Sequence, residues 1–428
     1  MPTTVEWARF KKYARRMREL KFRHSEEPVP LDVFSALQLR TLNEPLLPNL
    51  RTLEFSEATA DIIPFIPLFL SRRTIDIVIQ FTTIPPAVMT ASMIINLPIL
   101  CPYMQTIFLG PLPLDSTITN AVSEMLLACN LDTLRDFQVN TPLTKEAYRV
   151  IYRLPNLRTL WSTILDPASL PKVSLPNLTE LVIVYYYGYD WLQAFDGATL
   201  SKLTAVAFRT ESEPIGNFLE AFEDVALATS ASTTLTGFSF YTSCSWNPNY
   251  YSLLSFKHLK QLVIEFSCRD GCSSRVDDEI IIALAQAMPK LETLLLGKAP
   301  CKFPSNVTVH GLVALAHHCP DLSRLRVHFE TDSFIVAGAT EAVPPPSDGG
   351  LHPPPESCAL ANLEVGEIPI PQPFVVTVIL ILLRIFPRLL DIEYVDEGWK
   401  WVADAIRLSK QIDTFVRHSG EIRPPSLL

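Results

Sequence analysis

The 428-residue sequence predicts an α/β repeat array, with parallel strands on one side and helices on the other. Three observations carry that expectation. The segment LPNLRTLEF at 47–55 recurs as LPNLRTLWS at 154–162 and LPNLTELVI at 175–183, with looser copies down the chain. The anchor leucines Leu134, Leu157, Leu178, Leu203, Leu235, Leu259, Leu291 and Leu322 stand 23, 21, 25, 32, 24, 32 and 31 residues apart. That is a mean of roughly 27, within the spacing of leucine-rich repeats. The chain also carries 36 prolines against 14 glycines, and Pro48, Pro155, Pro176, Pro289, Pro320 and Pro387 each stand just ahead of a repeat's first anchor. Together these predict an irregular leucine-rich-repeat solenoid, a horseshoe with a concave parallel sheet and helices on the convex side.

Each element follows from the pattern. The last two apolar positions of a Leu-x-x-Leu-x-Leu unit alternate, as a short strand buried on one side requires. No single unit closes a core, so neighbours must stack and helices must cover their backs. The segments Ser116–Cys129, Val276–Met288 and Thr308–Cys319 have the helical period for that task. The apolar run Phe374–Leu383 is ten residues long, half of the roughly twenty that span a bilayer, and is expected as a buried helix. Proline after a helix ends it and sets an extended path into the next strand. Residues 1–24 are expected to form an amphipathic capping helix and a first strand, and 25–428 the array. The segment EAVPPPSDGGLHPPPE at 341–356 is expected as a solvated insert, with a polyproline ligand as the lesser alternative.

Charge and cysteines exclude several classes of function. The formal charge is −9, which argues against a general nucleic-acid binder. Residues 1–24 nevertheless hold eight Lys/Arg and two Glu. An amphipathic basic helix of that kind also suits a mitochondrial address, a membrane surface or calmodulin, but it runs straight into a repeat-like strand, which favours capping. The eight cysteines are scattered, several in apolar settings, as reduced thiols of a cytoplasmic or nuclear protein would be. No secretory signal is expected, and the sequons at Asn177 and Asn306 are expected to be coincidental.

No phosphate-binding, dinucleotide, nucleophile-elbow or zinc-protease motif is present. A zinc set drawn from Cys268, Cys272, Cys301, His317, His318 and Cys319 lacks a second tight pair, and Asp277-Asp278-Glu279 suits a helix start better than acid–base chemistry. No catalytic residue, cofactor or metal is expected, and the chain is taken as a monomer and not an enzyme. The expected surface is the concave face, where residues between anchors point outward. Val182, Val184 and Tyr186 come from one unit, Arg209 from the next, then Tyr241, Glu265, Leu295, Arg326 and His328. Tyr189, Trp191 and Trp246 extend it as an aromatic surface. Rigid aromatics of this kind are enriched in protein interfaces.

The stretch Glu6-Trp7-Ala8-Arg9-Phe10, followed by Tyr13-Ala14-Arg15-Arg16-Met17-Arg18-Glu19-Leu20, resembles the helix that opens the leucine-rich region of fungal, mushroom-type F-box proteins. The LPNL segments extend the resemblance over most of the chain. It implies repeats that recruit a protein substrate, with an F-box ahead of this helix docking on a Skp-type adaptor and a cullin ubiquitin ligase. No F-box motif stands in this sequence, so no F-box residue is assigned, and the adaptor and cullin are expected only where an F-box precedes Met1. The alternative is a stand-alone scaffold or small-GTPase regulator built on similar repeats. Neither nucleic acid nor membrane is expected as a partner.

Overall fold

A computed structural model describes residues 3–420, except 24–29, 42–43, 166–169, 186–189, 211–217, 244–247, 268–275, 298–305, 331, 335–357, 366–369, 371 and 395–396. The chain divides into two compact units, Met1–Thr204 with Ala228–Ala231, and Ala205–Leu227 with Ser232–Leu428. The proline-rich insert at 341–356 lies outside the described residues.

The first unit is a run of parallel strands in chain order: β1 Glu19–Arg23, β2 Thr52–Ala58, β3 Asp76–Phe81, β4 Thr106–Gly110, β5 Asp136–Pro142, β6 Thr159–Ile164 and β7 Glu180–Tyr185. Parallel neighbours need crossover segments, and helices supply most of them. They are α2 Leu31–Thr41, a 3-10 segment at Ala60–Leu68, α3 Ala87–Leu100, α4 Ser116–Ala128 and α5 Lys145–Ile151. Ahead of β1, α1 spans Thr4–Ala14 behind a capping box formed by Thr3 and Glu6.

The second unit repeats the scheme with β8 Ala205–Thr210, β9 Gly237–Ser243, β10 Gln261–Ser267, β11 Thr293–Leu296, β12 Arg324–Arg326, β13 Asn362–Glu364 and β14 Asp391–Glu393. Its helices are α6 Phe218–Ala228, α7 Asp278–Ala287, α8 Val309–His318, α9 Val375–Ile385 and α10 Glu397–Gly420. Both units are therefore the parallel-strand α/β arrangement that the repeat spacing predicts. The expected helices at 116–129, 276–288, 308–319 and 374–383 all form, within about two residues at each end.

The anchors set the strand positions. Each of the eight spaced leucines is at most 2% exposed, and each stands two residues before its strand begins. At the intervening residue the backbone makes a recurring contact. Its carbonyl accepts two N–H groups from the next repeat: Arg51 O from Ile75 N (2.8 Å) and Asp76 N (3.0 Å), and Arg135 O from Arg158 N (2.6 Å) and Thr159 N (3.1 Å). In the second unit Lys260 O takes Glu292 N (2.7 Å) and Thr293 N (2.9 Å).

The LPNL motif adds a side-chain link to this backbone ladder. Its asparagine donates to a carbonyl of the preceding repeat: Asn49 Nδ2 to Arg15 O at 2.7 Å, Asn156 Nδ2 to Asp132 O at 2.9 Å, and Asn177 Nδ2 to Pro155 O at 2.6 Å. The motif's proline stands where the helix must stop. After α7, α8 and α9 come Pro289, Pro320 and Pro387, each two residues past the last helical one.

Beneath the strands, aromatic rings fill much of the core. Phe22 of β1 stacks on Phe55 at 4.7 Å and meets Phe34 of α2 and Phe69 edge-on. In the second unit Phe208, Phe218, Phe222 and Phe238 interlock at about 5–6 Å, the range that favours edge-to-face pairs. The acidic cluster at the start of α7 is structural. Asp277 caps the helix through Ile280 N (3.0 Å), while Asp278 reaches the start of α8 and accepts from Thr308 N (2.8 Å) and Gly311 N (3.0 Å). A Cβ at Gly311 would stand 2.6 Å from the same carboxylate oxygen, so this close approach needs glycine.

Asn177→Ala and Asn156→Ala each remove an inter-repeat hydrogen bond. Each is expected to lower unfolding free energy by about 1 kcal/mol, read from the midpoint of a urea titration at unchanged slope.

Candidate protein-binding face

Strand alternation turns one set of side chains into the helix-backed core and the other onto the helix-free face. In the first unit the register aligns Val78, Phe108, Gln138, Trp161 and Val182 across five strands. All five are only part-buried. Phe108 and Trp161 reach across the intervening Gln138 to an edge-on contact, centroids 6.1 Å apart. On the same strands Leu160, Leu181 and Ile183 point the other way and are at most 3% exposed. The result is a central row, apolar except for Gln138, with two aromatic rings on a face that no described helix covers.

The second unit presents a different chemistry. Its central row runs Ala207, Ser239, Val263, Leu295, Arg326, Glu364, Glu393, and beside it lie Arg209, Tyr241 and Glu265. Arg326 spans β11 to donate Nη1 to Glu265 Oε1 at 2.8 Å, and also meets the Gly297 carbonyl at 3.3 Å. Its Nε and Nη2 contact Glu364, which also pairs with Arg324 Nη2 at 2.5 Å. Glu364 is 6% exposed. A buried carboxylate is tolerable here because two guanidiniums and their hydrogen bonds replace its water. Four charged side chains thereby stitch β10, β12 and β13 together above β11.

Tyr241, 37% exposed, and the exposed Arg209 are open to solvent, while Val182 is half-buried in the first unit's apolar row. Val184 is buried, and Leu295 is buried beneath the Arg326 span, so neither offers open surface. Glu265 and Arg326 are engaged with each other. His328 is part-buried against Gly297, with its Nδ1 buried and unpartnered. Burial, with the Arg326 charge beside it, holds that imidazole below its ordinary pKa. Tyr186, Tyr189 and Trp246 lie outside the described residues, and Trp191 falls in the 3-10 segment Asp190–Phe195.

Phe108, Trp161 and Glu364 were not among the expected face residues. For the two rings a signal is present in the sequence: Trp161 follows the anchors of LPNLRTLWS, and Phe108 holds the matching place in the stretch Met104-Gln105-Thr106-Ile107-Phe108. Among the described residues, no group of three or more His, Cys, Asp or Glu could hold a metal ion. Cys268, Cys272 and Cys301 lie outside them. Cys319 is a core thiol whose Sγ donates to Met288 O at 3.6 Å, and burial pushes its pKa up to about 12. Among the same residues, no helix is long and apolar enough to cross a membrane.

In sequence, no known protein family and no curated protein matches this chain. Among solved structures it is similar to a chain in the crystal structure of the Rad7 and Elc1 complex of yeast. The match covers 72% of this chain and 88% of that one, at 14% identity and a TM-score of 0.39.

The charged stitch predicts a contrast. Glu364→Ala removes the carboxylate shared by Arg324 and Arg326, leaving Arg326 with Glu265 as its remaining carboxylate partner, and is expected to cost about 2 kcal/mol of stability. Arg407→Ala removes the exposed pair with Asp391, both partners more than 40% exposed, and is expected to cost about 0.5 kcal/mol or less. Chemical denaturation of the two variants measures the difference.

Proposed function

We propose that the chain is a non-enzymatic protein-binding array of the leucine-rich-repeat kind, whose helix-free strand faces seat a protein partner. The observation that carries this reading is the row Val78, Phe108, Gln138, Trp161 and Val182. Four apolar side chains stand in register on either side of Gln138, on a face that no described helix covers, and the two rings among them are held by the strands at little further entropy cost. Buried aromatic anchors of this type dominate binding energy in protein interfaces. Tyr241 and Arg209 offer a second contact area, of the residue types that interfaces enrich.

The finer proposal is that the partner is a substrate, and that the array is the recruiting part of an F-box-type ubiquitin ligase receptor. Its support is the resemblance of residues 6–20 and of the LPNL repeats to that family. A Skp-type adaptor and a cullin are the further partners this implies for the complete gene product. Quantitative affinity purification of the full-length product tests it. Stoichiometric recovery of adaptor and cullin is expected where that product carries an F-box ahead of Met1, and their consistent absence refutes the ligase role while leaving the binding array standing.

For the face itself, Trp161→Ala and Tyr241→Ala are expected to weaken capture of the recovered partner by about ten-fold or more each, with unchanged circular dichroism. Undiminished capture by both variants would overturn the assignment.

A further inference from the structure

We infer that the strand-start rim of the first unit is a docking groove for an extended, acidic peptide segment. The rim is built by the residues whose carbonyls carry the backbone ladder. In this unit those positions are Arg18, Arg51, Ile75, Gln105, Arg135, Arg158 and Thr179. Four are arginine and none is acidic. The composition of the unit does not demand this, because residues 1–204 carry 19 Lys/Arg and 19 Asp/Glu. In the second unit the corresponding positions include Lys260 and Glu292, which pair with each other at 2.6 Å.

Part of the rim forms a groove of about 520 Å³ with Gln105, Arg135, Arg158 and Lys202 among its lining residues. The asparagine and threonine side chains there are engaged within the fold. Asn156 and Asn177 donate to the preceding repeat, Thr133 Oγ1 donates to Met104 O at 2.8 Å, and Thr179 Oγ1 to Arg158 O at 3.0 Å. Lys202 Nζ donates to Asn177 Oδ1 at 2.5 Å, leaving further protons on the ammonium. Arg135 and Arg158 are exposed, and among the described residues no carboxylate forms an ion pair with either. The groove's own acid, Asp132, leaves three cations against one carboxylate.

The ladder holds Arg135 and Arg158 on adjacent strands, about 4.8 Å apart in the direction across the sheet. Two unneutralised arginines at neighbouring strand starts favour an anionic ligand, and each has a planar fork for a carboxylate or phosphate. The groove crosses four strand spacings, roughly 19 Å, a length that about six residues of extended peptide cover. No aromatic side chain lines it, so it lacks the stacking platform that single-stranded nucleic acid uses. An acidic peptide is the occupant that matches both the charge and the polar, ring-free lining.

Fluorescence anisotropy tests this, using an Asp/Glu-rich peptide of about eight residues, a Lys-rich peptide of equal length and a single-stranded dT oligonucleotide. Saturable binding of the acidic peptide is expected, weakened about ten-fold or more by R135E/R158E and about three-fold by K202Q, and falling as salt rises. Should R135E/R158E fail to fold, R135Q/R158Q is expected to show the same loss at about half the logarithmic size. Tyr241→Ala, on the other unit, is expected to leave peptide binding unchanged, which separates this groove from the strand-face reading. Absence of saturable binding, equal affinity for the Lys-rich peptide, tighter binding of the oligonucleotide, or full affinity in the groove variants would each overturn the proposal.

Discussion

In the first unit from β1 to β7, and in the second from β9 to β14, successive strands are joined through a carbonyl that accepts two backbone protons from the next repeat. That contact is the constraint on which the rest of each unit depends. It fixes the register of neighbouring strands at their starting residue, and a slip of one residue would send every core side chain to solvent. The anchors two residues before each strand are held in the core by the same arrangement, and the LPNL asparagines lock the turn from outside. Once register is fixed, every repeat position becomes a column across the sheet. The aromatic row, the charged stitch and the arginine rim are three such columns.

The two units use the same scaffold for different surfaces. In the first, the outward columns are apolar at the strand centre and cationic at the strand start. In the second, the centre is occupied by Arg326, Glu364 and Glu265, which satisfy one another. Such a network is costly to desolvate and gives weak evidence of net stability, but breaking it leaves a buried charge without its counter-ion. The second unit's strand face therefore holds its charges inward, and leaves Tyr241 and Arg209 as its open contacts.

Much of the fold was legible because burial imposes a strict pattern. The anchor leucines, the prolines that end helices, and the periods of α4, α7, α8 and α9 all mark their places directly. Strand β3 was not legible, for a specific reason. Its anchor position is Thr74, which is fully buried but meets the core with a hydroxyl that donates to Leu50 O at 3.3 Å. A leucine search passes over such a residue. The strand face was legible by alternation alone, which placed Tyr241 and Arg209 correctly outward. Alternation says nothing about reach: Arg326 contacts Glu265, 61 residues away, across an intervening strand. Hence Leu295, on the outward side by pattern, lies beneath a guanidinium. The rim column was invisible as a site because its arginines are scattered singly through the sequence and are gathered only by the ladder.

The central claim is that the strand faces, and not the helix-covered backs, receive a protein partner. Site-specific photo-crosslinking in native extract tests it most directly, with the photoreactive residue placed at Phe108, at Tyr241, or at Ile99 on the exposed side of α3. The account predicts a discrete protein adduct from Phe108 and Tyr241 and none from Ile99. Adducts from Ile99 alone, or equal adducts from all three positions, would contradict it.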